Sequence, residues 1–276
     1  VDRFILLAAG TSRPTSAHLP PGTAVKASAD DTEGRFGLTE HWGPDPLPSP
    51  HRPDGDEILY LLDGELKVET EDLVHHLTPG MCAFLPRGTA RTVDVQPEAR
   101  VRALRLSIPA PAPAASDADA DADGRRPVHV LAPGEVRPGR IPVPPAFAAK
   151  VRGTDTGGRL SLLEMTVTQQ IPRHVHHLAD EAVYVLSGDL AVEFADQSHL
   201  LSPGQFVLLP HGIPHALAPG STPPPRVLQI SSPGGWECFV EDFVEARTSV
   251  STAGRLDPRE LNRIAAPYAI TYEDPS

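Results

Sequence analysis

Ile171-Pro172-Arg173-His174-Val175-His176-His177-Leu178-Ala179-Asp180-Glu181-Ala182-Val183-Tyr184-Val185-Leu186-Ser187-Gly188, taken with Gly204-Gln205-Phe206-Val207-Leu208-Leu209-Pro210-His211-Gly212-Ile213-Pro214-His215, decides the fold. His174 and His176 are two apart in a segment that reads as a strand. Side chains alternate faces along a strand, so both imidazoles point one way and Val175 the other. Glu181 opens a second apolar run, Ala182 to Leu186, which ends at the turn Ser187-Gly188. Pro210-His211-Gly212 is a turn signal that delivers His215 onto a further strand. Three imidazoles and one carboxylate converging on a point make a metal site of mixed nitrogen and oxygen character.

Working outward, the chain repeats itself. Glu57 and Glu181 lie 124 residues apart, and the same offset pairs Tyr60 with Tyr184, Gly64 with Gly188, Gly80 with Gly204, Pro86 with Pro210 and Gly88 with Gly212. Upstream it pairs Lys26 with Lys150, Gly34 with Gly158, Arg35 with Arg159, Glu40 with Glu164 and Pro48 with Pro172. An unbroken offset over so many turn residues marks two copies of one small barrel. The ligand set is not copied. In the first repeat, Pro50, Arg52 and Arg91 stand where His174, His176 and His215 stand in the second, and Glu57 alone survives. A guanidinium stays protonated and has no acceptor, so it cannot ligate a cation. In this register His51 lies on the face opposite the old ligands; it becomes a ligand candidate only if its strand slips by one residue. The expected substitute for a metal is an Arg52-Glu57-Arg91 cluster inside the barrel; the alternative is that both arginines snorkel out and leave Glu57 solvated.

Strand signals recur at short spacing in both copies. Ile58–Leu62, Glu65–Thr70, Met81–Leu85 and Val101–Ile108 answer to Ala182–Leu186, Asp189–Phe194, Gln205–Leu209 and Arg226–Ser231. Phe4 to Ala9 reads as one more strand, at an edge or in the core; a short apolar run after one basic residue also admits a signal peptide. Pro109 to Arg126, with its alternating Asp and Ala, reads as a semi-extended linker. Beyond the second copy the period changes. Trp236, Phe239, Val240, Phe243 and Val244 have helical spacing. Asp257-Pro258-Arg259-Glu260 reads as a helix start, with Asp257 as cap, and Leu261, Ile264 and Ala265 form its apolar face. The segments are therefore a degenerate barrel at 1–108, a linker at 109–126, a metal-binding barrel at 127–232 and a helical tail at 233–276.

Composition limits the function classes. The 276 residues include 32 prolines and 22 glycines, which suits short strands and many turns and disfavours long helices. Lys and Arg number 24 against 36 Asp and Glu, a net charge of −12, so nucleic acid and anionic membrane are poor partners. Two cysteines, Cys82 and Cys238, give no disulfide framework and no cysteine-based zinc site. No run reaches the ~20 apolar residues of a membrane helix, and a soluble cytoplasmic protein is the expectation.

The two motifs resemble those of the cupin superfamily. Its first motif runs His-x-His, three or four residues, Glu, six residues, Gly, met here by His174, His176, Glu181 and Gly188. Its second runs Gly, five residues, Pro-x-Gly, two residues, His, met by Gly204, Pro210, Gly212 and His215. Thr168 and Pro219 replace a motif Gly and Asn, neither of them a ligand. The resemblance implies an all-β fold of two tandem cupin barrels (double-stranded β-helix, or jelly roll) with a short helical C-terminal tail. It also implies that His174, His176, Glu181 and His215 bind one divalent transition metal: iron, manganese, nickel, cobalt, copper or zinc. As a ligand that can also accept a proton, Glu181 is the candidate catalytic base. Val183, Val185, Val207 and Leu209 are expected to line this barrel.

A small-molecule substrate chelating through hydroxyl and carbonyl oxygens follows, and the resemblance implies three classes for it. The first is a quercetinase-like dioxygenase that uses O2 on an enol or phenol. The second is a non-oxidative isomerase, lyase or polyketide cyclase of secondary metabolism. The third is a binding cupin without turnover. Pro233-Gly234-Gly235-Trp236-Glu237-Cys238-Phe239 is similar to the tails of quercetinase-like small cupins and leans toward the first. A homodimer is an assembly the resemblance allows.

Overall fold

The computed structural model describes residues 3–14, 19–43, 47, 51–71, 73–95, 100–110, 126–252 and 255–273. Most of the expected linker (111–125) and Pro50 lie outside them. The chain forms two compact units, one of Val1–Ala9, Val136–Gly153 and Gly158–Ser276, the other of Gly10–Glu135 and Thr154–Gly157. They are termed here the second-repeat and first-repeat units.

In the second-repeat unit a six-stranded antiparallel sheet contains Ile5–Leu7, Phe206–Leu209, Asp180–Ser187, Arg226–Ser232, Ser161–Thr166 and Phe147–Val151, in that spatial order. A five-stranded sheet contains Gln197–Leu201, Leu190–Phe194, His215–Pro219, Ile171–His176 and Ile270–Tyr272. Both contribute alternate residues to one apolar core, with Val183, Val185, Val207 and Leu209 from the first sheet and Leu190, Val192 and Leu217 from the second. Each such side chain contributes roughly 1.5–3 kcal/mol by leaving water. The first-repeat unit repeats the plan with a six-stranded and a three-stranded sheet around Leu59, Leu61, Leu66, Val68 and Leu85. The sequence-derived strands fall inside or within two residues of Asp56–Asp63, Leu66–Thr70, Cys82–Leu85, Val101–Ile108 and their counterparts. The fold is therefore all-β, built on two jelly-roll barrels.

The repeated glycines have a steric cause. Gly188 has φ +69, and a Cβ there would stand 2.9 Å from the Cα of Pro225. Gly64 has φ +82, and its Cβ would stand 2.3 Å from the Arg100 carbonyl oxygen. The repeated charges are structural too. In one unit Lys26 Nζ is 2.8 Å from Glu40, which Arg102 also grips; in the other Lys150 Nζ is 3.5 Å from Glu164, gripped by Arg226. Both lysines are buried, so each carboxylate offsets the cost of a buried ammonium.

The units do not follow the sequence segments. Ile5–Leu7 pairs with Phe206–Leu208 in the second-repeat unit, and His129–Leu131, 124 residues on, pairs with Cys82–Phe84 in the first-repeat unit. Each unit thus takes an edge strand from the other repeat, because a three-residue strand has no side-chain pattern that names its sheet. The arginine before each strand anchors it. Arg3 binds the buried Asp180, and Arg126 binds the buried Asp56, with Nη1 at 2.9 Å from Oδ2. Phe4 stacks on Phe194 with centroids 4.3 Å apart.

The tail contains α1 (Trp236–Val250) and α2 (Pro258–Ala265). Asp257 caps α2, its Oδ1 accepting from the Arg259 amide at 2.9 Å. Trp236, Phe239, Val240, Leu261, Ile264 and Ala265 all join the second-repeat core. The strand Ile270–Tyr272 beyond α2 was not foreshadowed by the sequence pattern. No described helix is long and apolar enough to cross a membrane.

Arg126→Ala strands the Asp56 carboxylate in the interior and is expected to destabilise the first-repeat unit by about 3–5 kcal/mol, measured by denaturant unfolding. A loss under about 1 kcal/mol would show that this pair does not anchor the strand.

Candidate metal centre

Ile171–His176 and His215–Pro219 are neighbours in the five-stranded sheet, and His174 pairs directly with His215. His176 is two residues on from His174, on the same face. Glu181 comes from the opposite sheet, in register with Leu209 and Ser231. The four ligand atoms of His174, His176, Glu181 and His215 lie within 4.8 Å of one another, and none of the residues is more than 2% exposed. No other such group occurs among the described residues.

His174 Nδ1 donates to the Pro172 carbonyl at 2.8 Å, and His215 Nδ1 to that of Ile213 at 3.0 Å. Each neutral ring therefore aims the lone pair of Nε2 at the centre. His174 Nε2 is 3.1 Å from His176 Nε2, and Glu181 Oε2 is 3.2 Å from His176 Nε2 and 3.3 Å from His215 Nε2. Acceptors this close repel unless a proton or cation sits among them. Two metal bonds of about 2.1 Å at right angles separate their donors by about 3 Å, so the spacing fits a first-row metal. Burial, and then the neighbouring imidazoles of His215 and His176, push His174 well below its ordinary range; burial also lowers His176. For Glu181 burial acts upward, but the imidazoles of His176 and His215 outweigh it and hold the carboxyl far below its ordinary range. Neutral rings around a carboxylate are the protonation state that binds a metal.

The tail closes one side of this cluster. Tyr272 pairs with His174 across the sheet and stacks on its ring with centroids 5.1 Å apart. Trp236 lies 5.5 Å from the His176 ring. An apolar cavity of about 120 Å³ lies against Trp236 and Tyr272, lined also by Val167, Ile171, Phe239 and Leu261; none of the four ligand residues lines it.

In the first-repeat unit the corresponding carboxylate is neutralised without metal, but not as the repeat offset implies. Arg91 Nε binds Glu57 Oε2 at 2.5 Å, and the second guanidinium on Glu57 is that of Arg105. Arg52 instead points outward to Glu71, at 2.5 Å, with 58% of its side chain exposed. The cause is a register slip. His51, not residue 50, pairs with Arg91, as His174 pairs with His215. The slip turns His51 inward, its Nε2 4.0 Å from Glu57 and 3.2 Å from Arg105 Nη2, and moves Arg52 to the outer face. Burial opposes ionisation of Glu57, yet Arg91 and Arg105 hold its carboxyl below the ordinary range.

A double-sheet barrel with three histidines and a glutamate inside it is a jelly roll with the donor set of a metal site. A family model described as "Cupin domain" matches residues 161–230. Residues 161–230, the heart of the second-repeat barrel, thus match a cupin domain. The chain is similar in structure to protein Ylba from E. coli (TM-score 0.60, 13% identity, covering 84% of this chain and 92% of that one). A putative glyoxylate-induced protein from Pseudomonas aeruginosa matches with TM-score 0.59 and 17% identity over 83% and 97% of the two chains. The salicylate 1,2-dioxygenase of Pseudaminobacter salicylatoxidans matches with TM-score 0.52 and 11% identity over 77% and 73%. No curated protein matches the chain.

Glu57→Ala removes the carboxylate between two guanidiniums and is expected to cost about 3–5 kcal/mol in unfolding free energy, whereas Arg52→Ala should cost less than about 1. Equal effects of the two substitutions would contradict this assignment.

Proposed function

We propose that the chain is a metal-dependent cupin enzyme and that it acts as a quercetinase-like dioxygenase on an enol or phenolic small molecule. One observation carries the reading: four buried donor atoms converge in the second-repeat unit, with each defined ring tautomer leaving Nε2 for a cation. When bound, a divalent transition metal would supply Lewis acidity toward a hydroxyl or carbonyl oxygen and a position for O2. His174, His176 and His215 hold it as neutral ligands, and Glu181 as the anionic one. Glu181 is also the proposed catalytic base. A carboxylate of ordinary basicity takes a proton from an acidified hydroxyl, which suits an enol or phenol better than an alcohol. The apolar layer of Val183, Val185, Val207 and Leu209 keeps water from the centre.

The aromatic faces of Trp236 and Tyr272 beside the histidines suit an aromatic ring as substrate. The likeness to salicylate 1,2-dioxygenase, a mutant of which was crystallised with gentisate, supports a hydroxylated ring as substrate. The second reading, a non-oxidative isomerase, lyase or cyclase, draws on the closed character of the same site, whose ligand residues are almost wholly buried.

Metal analysis and oxygen uptake separate these readings. Purified protein should contain one ion per chain and consume O2 with one-ring catechols or enols; conversion without O2 favours the second reading, and tight binding without conversion a binding cupin. His176→Ala should lose metal and turnover yet keep its fold, because the barrel core is apolar and complete without an ion. Two ions per chain, or full occupancy in His176→Ala, would overturn the metal assignment. Glu181→Gln should keep part of the metal through its amide oxygen and lose turnover, since an amide takes no proton. Near-normal turnover per bound ion in that variant would exclude the base role.

A further inference from the structure

Gln229 lies on the central strand Arg226–Ser232, in register with Val183 on one side and Leu163 on the other. Val183 and Leu163 both face the barrel core, so Gln229 faces it too. Ser231, two residues on, is in register with the ligand Glu181. Gln229 therefore stands one layer along the barrel from Glu181, on the same inner wall. It is 1% exposed, and neither its Oε1 nor its Nε2 has a hydrogen-bond partner among the described residues. A carboxamide buried in an apolar wall costs stability unless something pairs with it.

The other unit shows where this position points. Arg105 stands 124 residues earlier, at the matching register opposite Leu59, and its guanidinium binds the matching glutamate, Glu57. A long polar side chain from this position therefore reaches the centre of the barrel. In the first-repeat unit that reach neutralises the carboxylate. In the second-repeat unit the shorter, uncharged Gln229 leaves Glu181 to the histidines and keeps both of its own polar atoms unengaged. Resting on the metal-site reading above, the geometry points to Gln229 as the residue that positions the substrate beside the ligands. Its Nε2–H donates to a substrate oxygen and its Oε1 accepts from a neighbouring hydroxyl. That pairing selects molecules with a donor and an acceptor on adjacent carbons, such as catechols and hydroxy-enones, over monophenols.

The test uses the full chain loaded with cobalt(II) and titrated with catechol, followed by visible absorption. Gln229→Met keeps the side-chain volume and removes both polar atoms. It should take up as much cobalt as the parent, bind catechol at least tenfold more weakly (about 1.4 kcal/mol) and, without metal, melt at or above the parent temperature. Gln229→Glu, which cannot donate when ionised, should weaken binding further. Unchanged catechol affinity in Gln229→Met would mean that the amide holds only a structural water, and overturns the inference. So would failure of Gln229→Met to fold, or a clear drop in its melting temperature, since the amide would then be structural. A cobalt-loaded parent without affinity for catechol overturns it as well. A parent that takes up no cobalt is a different result: the metal reading fails first and this inference falls with it.

Discussion

A glutamate buried on the inner wall of a β-barrel must be neutralised, and each unit meets that constraint differently. Glu57 and Glu181 occupy the same register position, and neither is more than 2% exposed. An uncompensated carboxylate there would cost several kcal/mol. Arg91 and Arg105 neutralise Glu57 permanently. Burial holds His174 and His176 below their ordinary range, so neither ring supplies a permanent positive charge to Glu181. What remains is a carboxylate among lone pairs, stable only with a cation or a shared proton. The same backbone thus carries an arginine-sealed ion cluster in one repeat and a carboxylate among histidines in the other.

How much of this was legible follows from which residues carry local signals. The convergence of His174, His176, Glu181 and His215 was readable because turns flank their strands: Gly188 and Gly212 adopt positive φ, and their spacing sets where the strands lie. The barrels were readable because alternation and turn residues recur at one offset. The partner of Glu57 was misread because a single-residue slip at His51 keeps the offset everywhere else while exchanging inner and outer faces locally. Arg105 carried no signal of its own, since its counterpart is Gln229 and neither belongs to a motif. Comparing the two as inward-facing positions of one central strand would have found both.

The exchanged edge strands were hidden for another reason. Ile5–Leu7 and His129–Leu131 are short, and backbone hydrogen bonding is indifferent to which repeat supplies it. The selective contacts are the buried pairs Arg3–Asp180 and Arg126–Asp56. Asp180 and Asp56 immediately precede Glu181 and Glu57, so the residue that anchors an edge strand adjoins the residue at the barrel centre. Asp180 also accepts from the His211 amide at 3.0 Å, in the turn that leads to His215. One aspartate therefore ties together the edge strand, the strand bearing Glu181 and the loop that delivers the last histidine.

The tail extends this logic from stability to chemistry. The apolar stripe of α1 and α2 seals the barrel core, while Trp236 and Tyr272 bring aromatic faces to the histidines. Aromatic walls lower the local dielectric, and charge–charge interactions strengthen accordingly. In such a site a cation is held more tightly, and any hydroxyl that reaches it becomes more acidic than in water. Burial pushes the Tyr272 phenol above its ordinary range, with Glu181 adding to the effect, so the ring stays neutral and contributes no competing charge. The four-residue cluster thus has one acidic member, Glu181, and Tyr272 adds no second anion beside it.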